Sequence, residues 1–244
     1  MENTIIKKPQ IKKIRFDNSG YYLMILIVLV LLGFWPTYFS KYVDGTANFN
    51  MYFHFHGLMA SLWILLLIIQ PILIKKKKLP LHRKIGKLSY IILPLFFLSV
   101  ILLKHHRIDG QITENMGARL WLQTKDIVII GIMYAIAIAN KHNMQIHARA
   151  MIATGIVFIE PTLGRFLGIT VFPDNGMIGF LITIGIVYAL LFWLIFLERK
   201  QSSGRWIFPL EICLYLLFHY LFLFQVSFPL WDSFAKWFAL LPIT

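Results

Sequence analysis

Hydrophobic residues in this chain come in long blocks rather than in amphipathic stripes. Each block is about 20 residues long, which as a helix rising 1.5 Å per residue matches the hydrocarbon core of a bilayer. The pattern therefore predicts an all-α integral membrane protein built as one bundle of seven transmembrane helices. The predicted spans cover residues 21–40, 53–74, 86–103, 124–140, 148–171, 177–197 and 206–228.

Lysine and arginine are distributed unevenly among the connections between these spans. With the N-terminus in the cytoplasm, 17 of them lie on the cytoplasmic side, six lie outside, and Arg165 falls within a span. The positive-inside rule therefore predicts that the N-terminus is inside and the C-terminus outside. We divide the chain into a basic cytoplasmic tail (1–20), the bundle (21–229) and an amphipathic C-terminal segment (230–244) on the outer surface.

The composition excludes a soluble protein, and the positive charge does not indicate a nucleic-acid partner. The chain is 58% hydrophobic and 14% charged, with a mean hydropathy of +0.70, whereas soluble domains carry about 25% charged residues. The formal charge of +13 is concentrated beside the apolar spans, where it fits topology and anionic lipid headgroups. The single cysteine, Cys213, excludes a disulfide framework.

The second predicted span carries a polar stripe. His56, Trp63 and Gln70 recur every seven residues, so they lie within about 40° of one another on one helix face. Polar groups at membrane depth turn away from lipid. We therefore expect this face to contact other helices.

An outer layer of polar residues forms a candidate metal site. Imidazole and carboxylate groups bind zinc, copper or iron, and several lie at the level where the second span begins. Two adjacent histidines in this layer, however, also fit a solvated turn, KHHRIDG, and the spacing is not a known motif. The candidate ligands are His54, His56, His105, His106 and Asp126.

Arg165 requires a partner because its guanidinium stays protonated at membrane depth. Asp126 and Glu160 are equally good structural partners for it, the latter if Pro161 distorts the helix. The alternative is that Arg165 contacts a substrate anion or a haem propionate. We treat Asp126, Glu160 and Arg165 as candidate catalytic residues.

An inner layer holds further candidates. His82, His147 and Arg149 lie at the cytoplasmic ends of their predicted spans, where they bind a ligand, cap helices or contact headgroups. In the seventh span, Glu211 and His219 lie two turns apart and about 80° around the helix. This pair could belong to a proton path.

Three segments resemble a group of bacterial polytopic membrane proteins that has no settled activity. They are FHGLMASLWILLLIIQPILI, LHRKIGK and HARAMIATGIVFIEPTLGRF, within residues 53–90 and 124–166. The resemblance implies a multi-pass protein of the bacterial cytoplasmic (inner) membrane and marks residues without supplying a mechanism. The marked residues are His56, Trp63, Gln70, His82, Arg83, Gly86, Asp126, His147, Arg149, Pro161 and Arg165.

A weaker likeness is to dihaem b-type membrane cytochromes. It would pair His56 with His105 or His106 around an outer haem b, and His82 with His147 around an inner one. Both haems would then lie at the very ends of the third span, which is shallow for buried haems. Gln70 and Arg149 complete the candidate cofactor-binding set.

Three classes of function follow. The first is a metal- or haem-binding membrane protein that performs redox or metal-assisted chemistry, as an oxidoreductase or hydrolase. The second is a transporter of a small molecule, anion or protons, whose path is lined by the Gln70 stripe and by a face running from His147 to Arg165. The third is an accessory protein whose polar residues only hold helices together.

Overall fold

The computed structural model describes residue 16 and residues 18–113, 116–201 and 203–244. Every regular element in these ranges is helical, which confirms the all-α prediction. Most of the predicted basic tail, residues 1–15, lies outside the described residues.

Within the described ranges, six helices are long and apolar enough to cross a bilayer, and a seventh apolar helix has only 17 residues. Two short helices, α3 and α9, accompany them. The bounds are α1 Ser19–Val43, α2 Met51–Lys75, α3 Leu79–Gly86, α4 Ser89–Ile108, α5 Met116–Ala139, α6 Met144–Val171, α7 Gly176–Glu198, α8 Ile207–Leu223 and α9 Pro229–Ala239.

Asparagine side chains begin three of the long helices. Asn50 accepts hydrogen bonds from two backbone N–H groups of α2, Asn143 does the same for α6, and Asn175 accepts one from α7. Asparagine is among the best N-cap residues because its oxygen satisfies donors that have no partner within the helix. These caps place the helix starts at the two ends of the bundle.

Consecutive long helices run in opposite directions, which gives the bundle two faces. We call the end that carries Lys75–Lys78 the lysine face and the opposite end, where α2 begins, the distal face. Helix pairs are joined at both ends, for example by His56 to Ser99 and by His147 to the Ala137 carbonyl. Residues joined in this way lie at a common depth.

Helix α5 begins at Met116, eight residues before the predicted start of the fourth span. The reason is that MGARLWLQ is a sound helical sequence that packs against α9 through the stacked rings of Trp121 and Trp231, 4.0 Å apart. Lys125 is nine residues into this helix, about 13 Å from its start. It is thus at membrane depth rather than in a loop.

Helix α6 is interrupted near its middle. Its first segment ends at Ile156 and the next begins at Ile159. Pro161 has no N–H to donate to the carbonyl four residues before it, which accounts for the irregularity at Val157. The break changes the register between His147 and Arg165, so the helix does not present one straight face from end to end.

Close helix contacts depend on glycine. A Cβ on Gly179 of α7 would lie 2.7 Å from the backbone nitrogen of Gly168 in α6, whereas a Cβ on Gly185 would meet nothing within 4 Å. Small residues let membrane helices pack backbone to backbone. Gly179 therefore sets the distance between α6 and α7.

We expect Gly179→Ala to destabilise the protein relative to Gly185→Ala. Both changes gain about 1 kcal/mol of helix propensity, but only the first adds an overpacking cost of about 1–3 kcal/mol. Thermal unfolding of both variants in one detergent measures the difference. Equal melting temperatures would contradict the close packing of α6 on α7.

Candidate functional site

A chain of polar side chains crosses the interior of the bundle and joins four helices. Lys125 of α5 donates to Glu160 of α6, and a ring nitrogen of His219 in α8 lies 3.0 Å from the other oxygen of Glu160. The second ring nitrogen of His219 lies 2.9 Å from the hydroxyl of Tyr188 in α7. Asp126, whose carboxylate is 3.3 Å from the Lys125 ammonium, completes what we call the central network.

Three members of the central network are almost closed to their surroundings, while Asp126 and Tyr188 are partly exposed. The exposed fraction is 1% for Lys125, 6% for Glu160 and 3% for His219. A charge in such a setting is costly unless an opposite charge or hydrogen bonds compensate it. The opposed charges of Lys125 and Glu160 provide that compensation, so neither group can be removed alone without loss.

His219 is placed to pass a proton between two partners. An ionised Glu160 only accepts hydrogen bonds, so the facing Nε2 of His219 carries a hydrogen and donates it. The Nδ1 of a neutral ring then accepts from the hydroxyl of Tyr188. Imidazole can take up a proton on one nitrogen and release one from the other, which suits it to proton transfer.

Two further buried groups continue along α8 from His219 toward the lysine face. Glu211, Tyr215 and His219 are spaced by four residues, so they lie on one helix face. Glu211 and Tyr215 are 0% exposed, and among the described residues their side-chain oxygens have no hydrogen-bond partner. Lys125 lies 5.2 Å from the centre of the Tyr215 ring, a cation–π contact that ties this ladder to the central network.

A second buried ion pair lies near the lysine face. Arg149 donates to Glu198 at 2.7 Å and to the backbone and side-chain oxygens of Gln145 at 2.8 and 2.9 Å. Arg149 is 0% exposed. This candidate cofactor-binding residue is therefore occupied by protein groups that join α6 to α7.

The stripe of α2 contacts protein, as its spacing predicts. Trp63 is fully buried and makes a T-shaped contact with the Tyr134 ring, with 5.6 Å between the ring centres. The side-chain amide of Gln70 is oriented so that both its nitrogen and its oxygen form hydrogen bonds. The nitrogen donates to Nδ1 of His82 at 2.5 Å, and the oxygen accepts from the Gly86 N–H at 3.0 Å. Gln70 thus holds the short helix α3 against α2.

The distal histidines each have a separate neighbour. His54 bonds the hydroxyl of Tyr38 at 2.8 Å, His56 bonds Ser99 at 3.1 Å, His105 bonds Thr244 at 2.5 Å, and the ring of His106 packs on Tyr52. Asp126 belongs to the central network instead. Within the part of the chain that the structure describes, no three His, Cys, Asp or Glu residues form a group that could hold a metal ion. The geometry therefore gives no support to the predicted metal site.

The contacts of the predicted haem ligands do not favour either haem. Ser99, the partner of His56, is six residues before His105 on α4, so His56 and His105 lie at different faces of that helix. His106 is seven residues after Ser99 and shares its face, but it lies about 10 Å farther along the helix and packs on Tyr52. At the other end, Nδ1 of His82 accepts from Gln70, which leaves the proton on Nε2 and removes the lone pair that iron would need. His147 bonds the Ala137 carbonyl.

Arg165 does not form either predicted ion pair. Glu160 and Asp126 both turn to Lys125, while the Arg165 guanidinium lies 4.8 Å above the ring of Phe34. Lys125 was not among the predicted site residues, because it opens the predicted span 124–140 and was counted with the outer basic residues. A sequence signal for its burial exists, since the lysine stands next to an aspartate within a long apolar helix.

No known family, curated protein or solved structure matches this chain in our comparisons. The roles of these residues are therefore inferred from their contacts alone.

We expect Gln70→Leu to destabilise the protein by about 1–2 kcal/mol, since it removes hydrogen bonds that each contribute about 0.5–1.5 kcal/mol. Gln123→Leu is the matched control. Its amide oxygen is buried without a partner among the described residues, so its loss should leave stability unchanged or raised. Unfolding in mixed micelles compares the two. A larger cost for Gln123→Leu would contradict the role given to Gln70.

Proposed function

We propose that this protein moves protons across a membrane and that the central network is the proton relay. The observation that carries the proposal is the hydrogen-bonded chain from Lys125 through Glu160 to His219, which is buried and built from separate helices. Acidic and histidine side chains linked inside a helical bundle are typical of proton relays in pumps and transporters. We therefore assign the chain to proton translocation or proton-coupled transport.

The proposed relay uses both nitrogens of His219. A proton enters at the side of Tyr188, crosses the imidazole and leaves toward Glu160. The ammonium of Lys125 keeps Glu160 ionised, so its carboxylate is free to accept the proton. Toward the lysine face, Tyr215 and Glu211 extend the titratable groups over about 12 Å of helix. These groups thus cover less than half of a hydrocarbon core that is about 30 Å thick.

We also propose a membrane topology with seven spans. Helix α8 spans about 26 Å at 1.5 Å per residue, close to the hydrocarbon thickness of about 30 Å, which supports a seventh span. Among the described residues, excluding the buried Lys125 and Arg149 leaves 11 basic residues on the lysine side against five on the distal side. We therefore propose that the lysine face is cytoplasmic, with the N-terminus inside and the C-terminus outside, in a bacterial inner membrane.

The metal or haem function stays a prediction that the contacts of the described residues do not favour. The accessory function differs from the relay in one respect. In an accessory protein the central network would only hold α5, α6 and α8 together, and no proton would cross it.

A pH jump applied to proteoliposomes on a solid-supported membrane tests the relay. We expect a transient current from the native protein and a reduction of at least tenfold in Glu160→Gln and His219→Gln, because both changes interrupt the chain. Tyr188→Phe removes only the hydroxyl beside His219 and should slow the current while leaving the ion pair intact.

Glu198→Gln is the control for this experiment, because Glu198 is a buried carboxylate paired with Arg149 outside the central network. It should keep the native current. Only variants that elute as a single species in size-exclusion chromatography are compared. A native protein that gives no current beyond empty liposomes, or a current unchanged in Glu160→Gln, would contradict the proposal and favour the accessory function.

A further inference from the structure

Three glutamate side chains are buried in the described part of the bundle, and one of them differs from the other two. Glu160 faces Lys125 and Glu198 faces Arg149, so each of these carboxylates has a cation as its partner. Glu211 is 0% exposed, and neither of its carboxyl oxygens has a hydrogen-bond partner among the described residues. The protonation state of Glu211 therefore does not depend on an ion pair.

The neighbours of Glu211 along α8 are apolar. Ile207, Phe208 and Ile212 are themselves buried. Among the described residues, the two buried lysine or arginine side chains are those that already face the other glutamates. An ionised carboxylate without a partner is far more costly in such a setting than a carboxylic acid, so the group takes up a proton instead. Glu211 is therefore a neutral acid at rest.

A purely structural role does not account for this residue. Polar side chains hold membrane helices together by hydrogen bonds between helices, and Glu211 forms none among the described residues. An apolar side chain of similar size would fill the same space without burying an unsatisfied polar group. Ionisable groups that face the interior of a membrane bundle mark proton pathways instead.

Glu211 lies between the lysine face and the central network. It follows the start of α8 at Ile207 by four residues, about 6 Å of helix. Tyr215 comes four residues later on the same helix face, and its ring centre is 5.4 Å from that of His219 and 6.4 Å from that of Tyr188. Long side chains in a helix lean toward its N-terminus, so Tyr215 leans over the turn that carries Glu211.

We propose, on the basis of the relay proposed above, that Glu211 holds a proton at rest and supplies it to the central network from the lysine side. The O–H bond of Glu211 breaks, His219 gains a proton on the side of Tyr188, and its other nitrogen releases one to Glu160. Glu211 is then a carboxylate and Glu160 a neutral acid, so one proton has moved and the total charge is unchanged. The unpartnered carboxylate regains a proton from the lysine face, about one helical turn away.

Infrared difference spectroscopy in an ester-free maltoside detergent at neutral pH tests the resting state. We expect the native protein to show the C=O stretch of a protonated carboxyl group, shifted in heavy water and lost in Glu211→Gln. The matched control is Glu198→Gln, which removes a buried carboxylate that faces Arg149 and should leave this band in place. A carboxyl band that Glu211→Gln leaves unchanged, or a native protein without such a band, overturns the inference.

The current after a pH jump tests the supply of protons. We expect Glu211→Gln to lower the current at least tenfold and Glu211→Asp, which keeps an acid, to retain more of it. Tyr215→Phe should lower the current while keeping the infrared band, because it removes a hydroxyl between Glu211 and the central network but leaves the acid.

The two proposals fail in different ways. A native current that Glu211→Gln leaves unchanged overturns the role of Glu211 and leaves the relay through His219 and Glu160 standing. A native protein without current overturns the relay and the supply of protons together, whereas the infrared band still decides whether Glu211 holds a proton.

Discussion

The structure depends on one buried contact, the ion pair between Lys125 and Glu160. A lysine and a glutamate at this depth can remain charged only if they face each other, because lipid tails and apolar side chains offer no alternative partner. The pair holds α5 against the interrupted part of α6, and His219 extends it to α8. The position of each of these helices is therefore tied to the same few atoms.

Polar groups elsewhere in the bundle are kept apart from this contact. Arg149 and Glu198 neutralise each other near the lysine face, and Gln70 serves the short helix α3. The distal histidines bond hydroxyl groups or pack on aromatic rings. This separation matters for function, because the central network joins several buried groups that can accept and release protons.

The sequence predicted the all-α class and the approximate positions of most helices, because the length and hydropathy of the apolar blocks are direct signs of membrane helices. It also predicted that the face of Trp63 and Gln70 contacts protein. It failed for Lys125, because placing the start of α5 at residue 124 rather than Met116 moved the lysine from the interior to the surface. As a result, Glu160 and Asp126 were predicted to pair with Arg165 rather than with Lys125. Side-chain partners between helices depend on helix rotation and on the break near Pro161, which composition does not encode.

A double-mutant cycle on the buried pair tests this account most directly. Unfolding free energies are measured for Lys125→Met, Glu160→Gln and the double variant, with Lys87→Met as an exposed control. The account predicts that each single change costs about 3–5 kcal/mol, because it removes the nearest opposite charge of a buried group and leaves that group only Asp126 or His219, and that the double variant recovers most of this loss. Single costs that simply add in the double variant, within about 0.5 kcal/mol, would contradict the pairing of Lys125 with Glu160.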